Sequence, residues 1–135
     1  MIFADTSFWF AAGHPRDSHS AAARRIAAEH PSEQIVTTNH VLGETWTLFN
    51  TRASRWAALD FLDRLQSSPR IDVLHVEPAV EAEAWTWLRR DDERRYSFVD
   101  ATSFAVMRRH GITRAFAFDD DFAAAGFEVL TSARS

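Results

Sequence analysis

The chain has 135 residues, 46% apolar and 25% charged, with a net charge of −4 at neutral pH and no cysteine. Those figures describe one globular domain with its own core, and they exclude a disulfide framework and a thiolate metal centre. All 15 basic residues are arginine, which removes lysine Schiff bases and a Walker-type phosphate loop, while the acidic balance argues against holding nucleic acid by bulk charge.

No apolar stretch has the length of a membrane span, and "MIFADTSFWF" lacks the basic start of a secretory leader. A cytoplasmic location is therefore expected. In chain order, "MIFAD" reads as a short buried strand and "SFWFAAG" as a helix that Gly13, His14 and Pro15 end. Alanine-rich residues 17–30 form a helix that stops before Pro31, and "QIVTT" is a second strand. Residues 39–52 and 54–68 make two more helices, the second closed by Pro69, and "IDVLHV" is a third strand. Pro78 suits the first turn of a helix over 78–90. The charged loop "DDERRY" leads to a helix over 97–111 with Gly111 as its C-terminal stop, then come strand "RAFAF", short helix "DDDFAAAG" and strand "FEVL".

Strands separated by helices imply a parallel sheet with right-handed crossovers, whose ligand crevice lies beyond the carboxyl ends of the strands. Asp5 ends the first strand and Asp119 the fourth. Each also suits a helix start, Asp5 as an N-cap aided by Thr6 and Ser7, and Asp119 to Asp121 as first-turn acids. Glu44 lies three residues after Val41 and four before Leu48, which puts a glutamate on what reads as the apolar stripe of its helix. The bland alternative is a glutamate at the stripe's edge reaching to water. Asp100 shares a face with Phe104 and Met107, and "SFVD" has the spacing of a capping box, which leaves its second oxygen for other work. Four acids brought together would repel one another unless a cation neutralised them. All-oxygen ligands point to a hard ion, Mg²⁺ or Mn²⁺, and so to phosphoryl transfer or phosphodiester hydrolysis.

The motifs "IFADTSFW", "TTNHVLGETW", "SFVDATSFAVM" and "FAFDDDFAAAGFEVL" resemble the successive acidic motifs of PIN-domain ribonucleases, in particular the bacterial VapC toxins. The likeness spans residues 2–130, and the expected unit is one PIN-like nuclease domain over 1–135. By position, Asp5, Glu44, Asp100 and Asp119 match the family's four acids, Asp121 a variable auxiliary position, and Thr6 or Ser7 the polar neighbour of the first acid. Ala117 departs from the pattern, since the family often carries threonine or serine there to help place the attacking water. The resemblance implies a three-layer α/β/α sandwich with a central parallel sheet in order 3-2-1-4-5. It also implies endonucleolytic RNA cleavage, neutralisation by a cognate VapB-type antitoxin, and a homodimer.

On this reading Asp5 and Asp100 are direct metal ligands, and Asp119 completes the set or holds a water. Glu44 serves a second ion or orients the nucleophilic water. Arg89, Arg90, Arg94 and Arg95 in "RRDDERR" are candidate phosphate contacts, against the alternative of a self-paired solvated cluster. Trp46, Trp85 and Trp87 at helical spacing read as core or interface. The exposed apolar residues of 39–68 are the candidate antitoxin groove. Three alternatives stay open: an aspartate-dependent phosphatase, disfavoured by Ser7 at the second-aspartate position and by the absence of lysine; a PIN nuclease of RNA processing; and a non-catalytic binding module.

Overall fold

The structure is a computed structural model that describes residues 1–90 and 94–132. Five strands form one parallel sheet: β1 (Ile2–Ala4), β2 (Ile35–Thr38), β3 (Ile71–Leu74), β4 (Arg114–Phe116) and β5 (Glu128–Val129). Their order is β3-β2-β1-β4-β5, as expected. Between them run α1 (Thr6–Gly13), α2 (Ser20–Ala28), α3 (Asn39–Arg52), α4 (Arg55–Ser67), α5 (Pro78–Arg90), α6 (Phe98–Arg109) and α7 (Asp121–Ala124). Helices α1 to α4 pack on one another, and α5 to α7 do likewise. Right-handed crossovers place the two groups on opposite faces of the sheet, giving three layers.

The central strands are apolar because both their faces are covered. Ile2, Phe3 and Ala4 are fully buried, as are Ala115 and Phe116 beside them, whereas β3 and β5 at the edges are only partly covered. The register pairs Phe3 with Ala115 and Ala4 with Phe116. Strand order reverses between β1 and β4, so the crevice of this sheet opens at their carboxyl ends. One further hydrogen bond, from the Asp5 amide to the Phe116 carbonyl at 3.1 Å, carries the pairing to the last residue before the turn.

Both α3 and α5 have the bounds expected from sequence. Helix α2 starts three residues later and ends two earlier than the alanine-rich run suggested, and α7 is a single turn. The strand ends were over-extended too: His75 and Val76 lie beyond β3, and Ala117 and Phe118 beyond β4. Among the described residues no helix is long and apolar enough to cross a membrane.

Candidate active site

Asp5 is 3% exposed. It is the N-cap of α1, and its Oδ2 accepts from the Ser7 amide at 3.3 Å and the Ser7 hydroxyl at 2.9 Å. The Ser7 oxygen in turn accepts the Phe118 amide at 3.0 Å. One hydroxyl therefore ties the end of β1 to the segment after β4, and it does so beside the Ala117 departure. The aid that Ser7 gives the Asp5 cap is as expected from sequence; its bond to Phe118 is a long-range contact with no local signature.

Asp100 caps its own helix. Its Oδ2 accepts the Ser97 amide at 3.3 Å while its amide donates to Ser97 Oγ at 3.0 Å, so the "SFVD" capping box forms as read. Asp119 stands in the turn before α7, with Oδ1 accepting the Asp121 amide at 3.1 Å. Asp120, the N-cap residue of α7, makes no side-chain capping bond. The bonds to Asp5 Oδ2, Asp100 Oδ2 and Asp119 Oδ1 each engage one oxygen of the carboxylate and set its orientation.

These three carboxylates reach one another electrostatically. Burial, then the charges of Asp119 and Asp100, push Asp5 up to about 7, against the pull of Ser7 and the Thr6 amide. Burial is also the largest cause for Asp100, which is raised to about 6 with Asp119 and Asp121 adding repulsion. Asp119 is raised as well, by burial first and then by Asp121, while a hydrogen bond with Asp5 holds it down. Desolvation and like charge act together here, as they do where carboxylates share one pocket.

Glu44 departs from expectation. The buried stripe of α3 is Val41, Thr45 and Phe49, and Glu44 is exposed beside it. The reason is Thr45, whose hydroxyl donates to the Val41 carbonyl at 2.7 Å and lies 3.4 Å from the Thr6 hydroxyl. With its polar atom satisfied, a threonine occupies the core position. Glu44 instead lines an open groove of about 750 Å³ with Thr6, His40, Phe98 and Val99. The structure thus gathers Asp5, Asp100 and Asp119, and sets Glu44 on an adjoining wall.

Asp121 is half-buried and takes both Nε and Nη2 of Arg94 on its Oδ1, at 3.3 and 2.9 Å. Arg94 is therefore paired within the protein, and it also lies over the Tyr96 ring. Arg89, Arg90 and Arg95 are exposed. The remainder of the "RRDDERR" cluster, residues 91–93, lies outside the described residues.

The donor set fits a hard divalent cation: carboxylate oxygens only, whose negative charge is penalised by burial and by neighbouring acids. Among the described residues no three His, Asp or Glu side chains are drawn into a ready metal cage.

Comparison with known proteins agrees with this fold. The PIN-domain family model matches residues 2–128. The 23S rRNA-specific endonuclease VapC20 of Mycobacterium tuberculosis is 54% identical over 127 residues, covering 94% of this chain and 95% of the relative. The crystal structure of M. tuberculosis VapC20, described as a sarcin–ricin loop cleaving toxin, superposes with a TM-score of 0.92 at 50% identity, covering 97% of this chain and 99% of that one. FitAcB from Neisseria gonorrhoeae shares the fold at a TM-score of 0.66 and 17% identity, over 96% of each chain. The chain belongs to the PIN-domain family and, within it, to the VapC group of nucleases.

Proposed function

We propose that this chain is a Mg²⁺- or Mn²⁺-dependent endoribonuclease, the toxin of a VapBC-type pair, and that its substrate is the sarcin–ricin loop of 23S rRNA. The observation that carries the catalytic part is the convergence of Asp5, Asp100 and Asp119, three acids from separate elements, where the charges of Asp119 and Asp100 raise the pKa of Asp5 and that of Asp119 raises Asp100. The substrate follows from the extent of likeness to a relative so named.

Asp5 and Asp100 would hold the cation, each kept in position by its own capping bond. When bound, a divalent cation polarises the scissile phosphate and lowers the pKa of water for in-line attack. Asp119 accepts the proton of the attacking water. Glu44, on the groove wall, orients that water or the RNA strand. Ser7 holds Asp5 and the β4 end in one geometry. The P–O3′ bond breaks as the water oxygen bonds to phosphorus, the leaving 3′ oxygen takes up a proton from solvent to become a hydroxyl, and the new phosphate remains on the 5′ side.

A VapB-type antitoxin and a homodimer belong to the same reading. An apolar groove of about 520 Å³ runs between α1, α3 and α4 and is lined by Trp56, which is 74% exposed, together with Trp9, Phe49 and Phe61. Its shape and composition suit the apolar face of a partner helix. Trp56→Glu is expected to abolish co-purification with the antitoxin while leaving RNA cleavage intact.

The test of the nuclease reading is cleavage of 23S rRNA by purified protein with Mn²⁺, with the ends mapped. One cut in the sarcin–ricin loop with 5′-phosphate and 3′-hydroxyl ends supports it. Unchanged cleavage in excess EDTA overturns it, and so does hydrolysis of a generic aryl phosphate in place of RNA.

A further inference from the structure

Of the five tryptophans, Trp9 is buried, Trp46 and Trp87 are half-buried, and Trp56 belongs to the groove between α1, α3 and α4. Trp85 is different. It is 51% exposed on α5, and one face of its indole lies on the Phe98 ring at 4.3 Å between centroids and 25° between planes. Phe98 opens α6, two residues before Asp100, and with Val99, Thr6 and Glu44 it lines the groove of about 750 Å³ beside the acids. An aromatic surface therefore continues from the site wall to an exposed indole.

We propose that the Trp85–Phe98 stack is a base-stacking subsite, which holds an unpaired nucleobase of the substrate RNA next to the scissile phosphate. The proposal rests on the nuclease reading and names how that site grips its substrate. Three observations favour RNA as the occupant. A net charge of −4 without a single lysine leaves little non-specific attraction for phosphate, so contacts that ignore charge carry a larger share of the affinity. Base stacking is such a contact, since every base has a flat π-face. The exposed indole is also continuous with the site that would act on the RNA, through Phe98 and Val99, and Arg52 lines the same groove as a cation for the backbone. Groove volume agrees, lying within the range of sites that hold small organic ligands. His40, beside Phe98 at 5.7 Å and paired with Glu81 at 3.3 Å, braces the platform from α3.

The experiment compares full-length wild type, Trp85→Ala and Trp85→Phe on a sarcin–ricin stem–loop RNA with Mn²⁺, alongside sedimentation of each protein. Affinity is measured separately as the anisotropy of the labelled RNA with the Asp100→Asn form of each. Trp85→Ala is expected to raise KM and Kd by about tenfold or more with kcat within a few-fold, and Trp85→Phe to recover most of the loss, with Tm unchanged. Unaltered KM and Kd in Trp85→Ala would overturn the proposal. Conversion of a dimer to a monomer, with the loss reversed by raising protein concentration, would also overturn it and assign Trp85 to contact with a second copy. A wild type inert toward the RNA would instead overturn the nuclease reading, and the subsite would fall with it.

Discussion

Asp5 answers to two demands at once, since it caps α1 and it stands within hydrogen-bonding reach of Asp119. Its folded pKa lies near 7 and its ordinary value near 3.8. Between those values the folded chain binds more protons than the unfolded one, so stability is present at low pH and falls as pH rises through the window. Asp100, raised to about 6, and Asp119, also raised, act in the same direction. Glu33 acts oppositely, being lowered by Arg114 and the N-terminal amine, but its contribution changes only below pH 4.5. Thermal melts without divalent cation are therefore expected to show a lower Tm at pH 8 than at pH 5.5. Mn²⁺ should restore much of that loss, and Asp5→Asn, which keeps a capping oxygen, should flatten the profile. A Tm that rises from pH 5.5 to 8 in chelator would contradict the assignment. Ser7→Ala removes both the hydroxyl on Asp5 and the acceptor for the Phe118 amide. It should cost about 1–2 kcal/mol in urea unfolding and lower kcat, since Asp5 then loses its hydroxyl donor and keeps the amide of residue 7.

At the level of elements, α1 and α3 meet at a position where only glycine fits. A Cβ on Gly13 would stand 2.7 Å from the tip of the Phe49 ring, and Phe49 is 1% exposed, with Phe61 stacked on it and the Phe10 ring tilted against it. Gly13→Ala should destabilise by about 1–3 kcal/mol by denaturant unfolding, although alanine is the better helix former. From sequence Gly13 read as a helix terminator. It does stand at the end of α1, with His14 as the C-cap, but the close approach that excludes a side chain there is tertiary and has no local pattern. The same division runs through the site. Asp5 and Asp119 are legible because each follows a strand, with the order that sets β1 beside β4 supplied by the family resemblance, and Asp100 because a capping box is written in four consecutive residues. Glu44 was misplaced because hydropathy treats Thr45 as polar, whereas its hydroxyl is satisfied within its own helix and turns inward. The Arg94–Asp121 pair spans 27 positions, so the sequence offers Arg94 as a phosphate contact or as part of a self-paired cluster and not as the partner of Asp121. Strand lengths were over-read where a parallel ladder stops at a helix cap, as after Phe116.

The molecule as a whole sets an acidic pocket in an acidic protein and asks it to act on a polyanion. Two features bear on these charges: burial and like charge disfavour bare anions at Asp5 and Asp100, and the wall beside them is aromatic. Apolar surface is also left on the α1–α3–α4 side, around Trp56, where a helix-bearing inhibitor would seat without competing for the ion. Asp100→Asn should leave that face and the fold intact, because asparagine still accepts the Ser97 amide, and should lower Mn²⁺-dependent cleavage by about a hundredfold or more.

Cation binding by the converging carboxylates is the claim on which the mechanism rests, and Mn²⁺ titration followed by electron paramagnetic resonance at pH 7.5 tests it without reference to any RNA. Wild type is predicted to bind Mn²⁺ at a site that is lost in both Asp5→Asn and Asp100→Asn at unchanged fold. Equal Mn²⁺ binding by wild type and the two variants, or none by wild type, would contradict it.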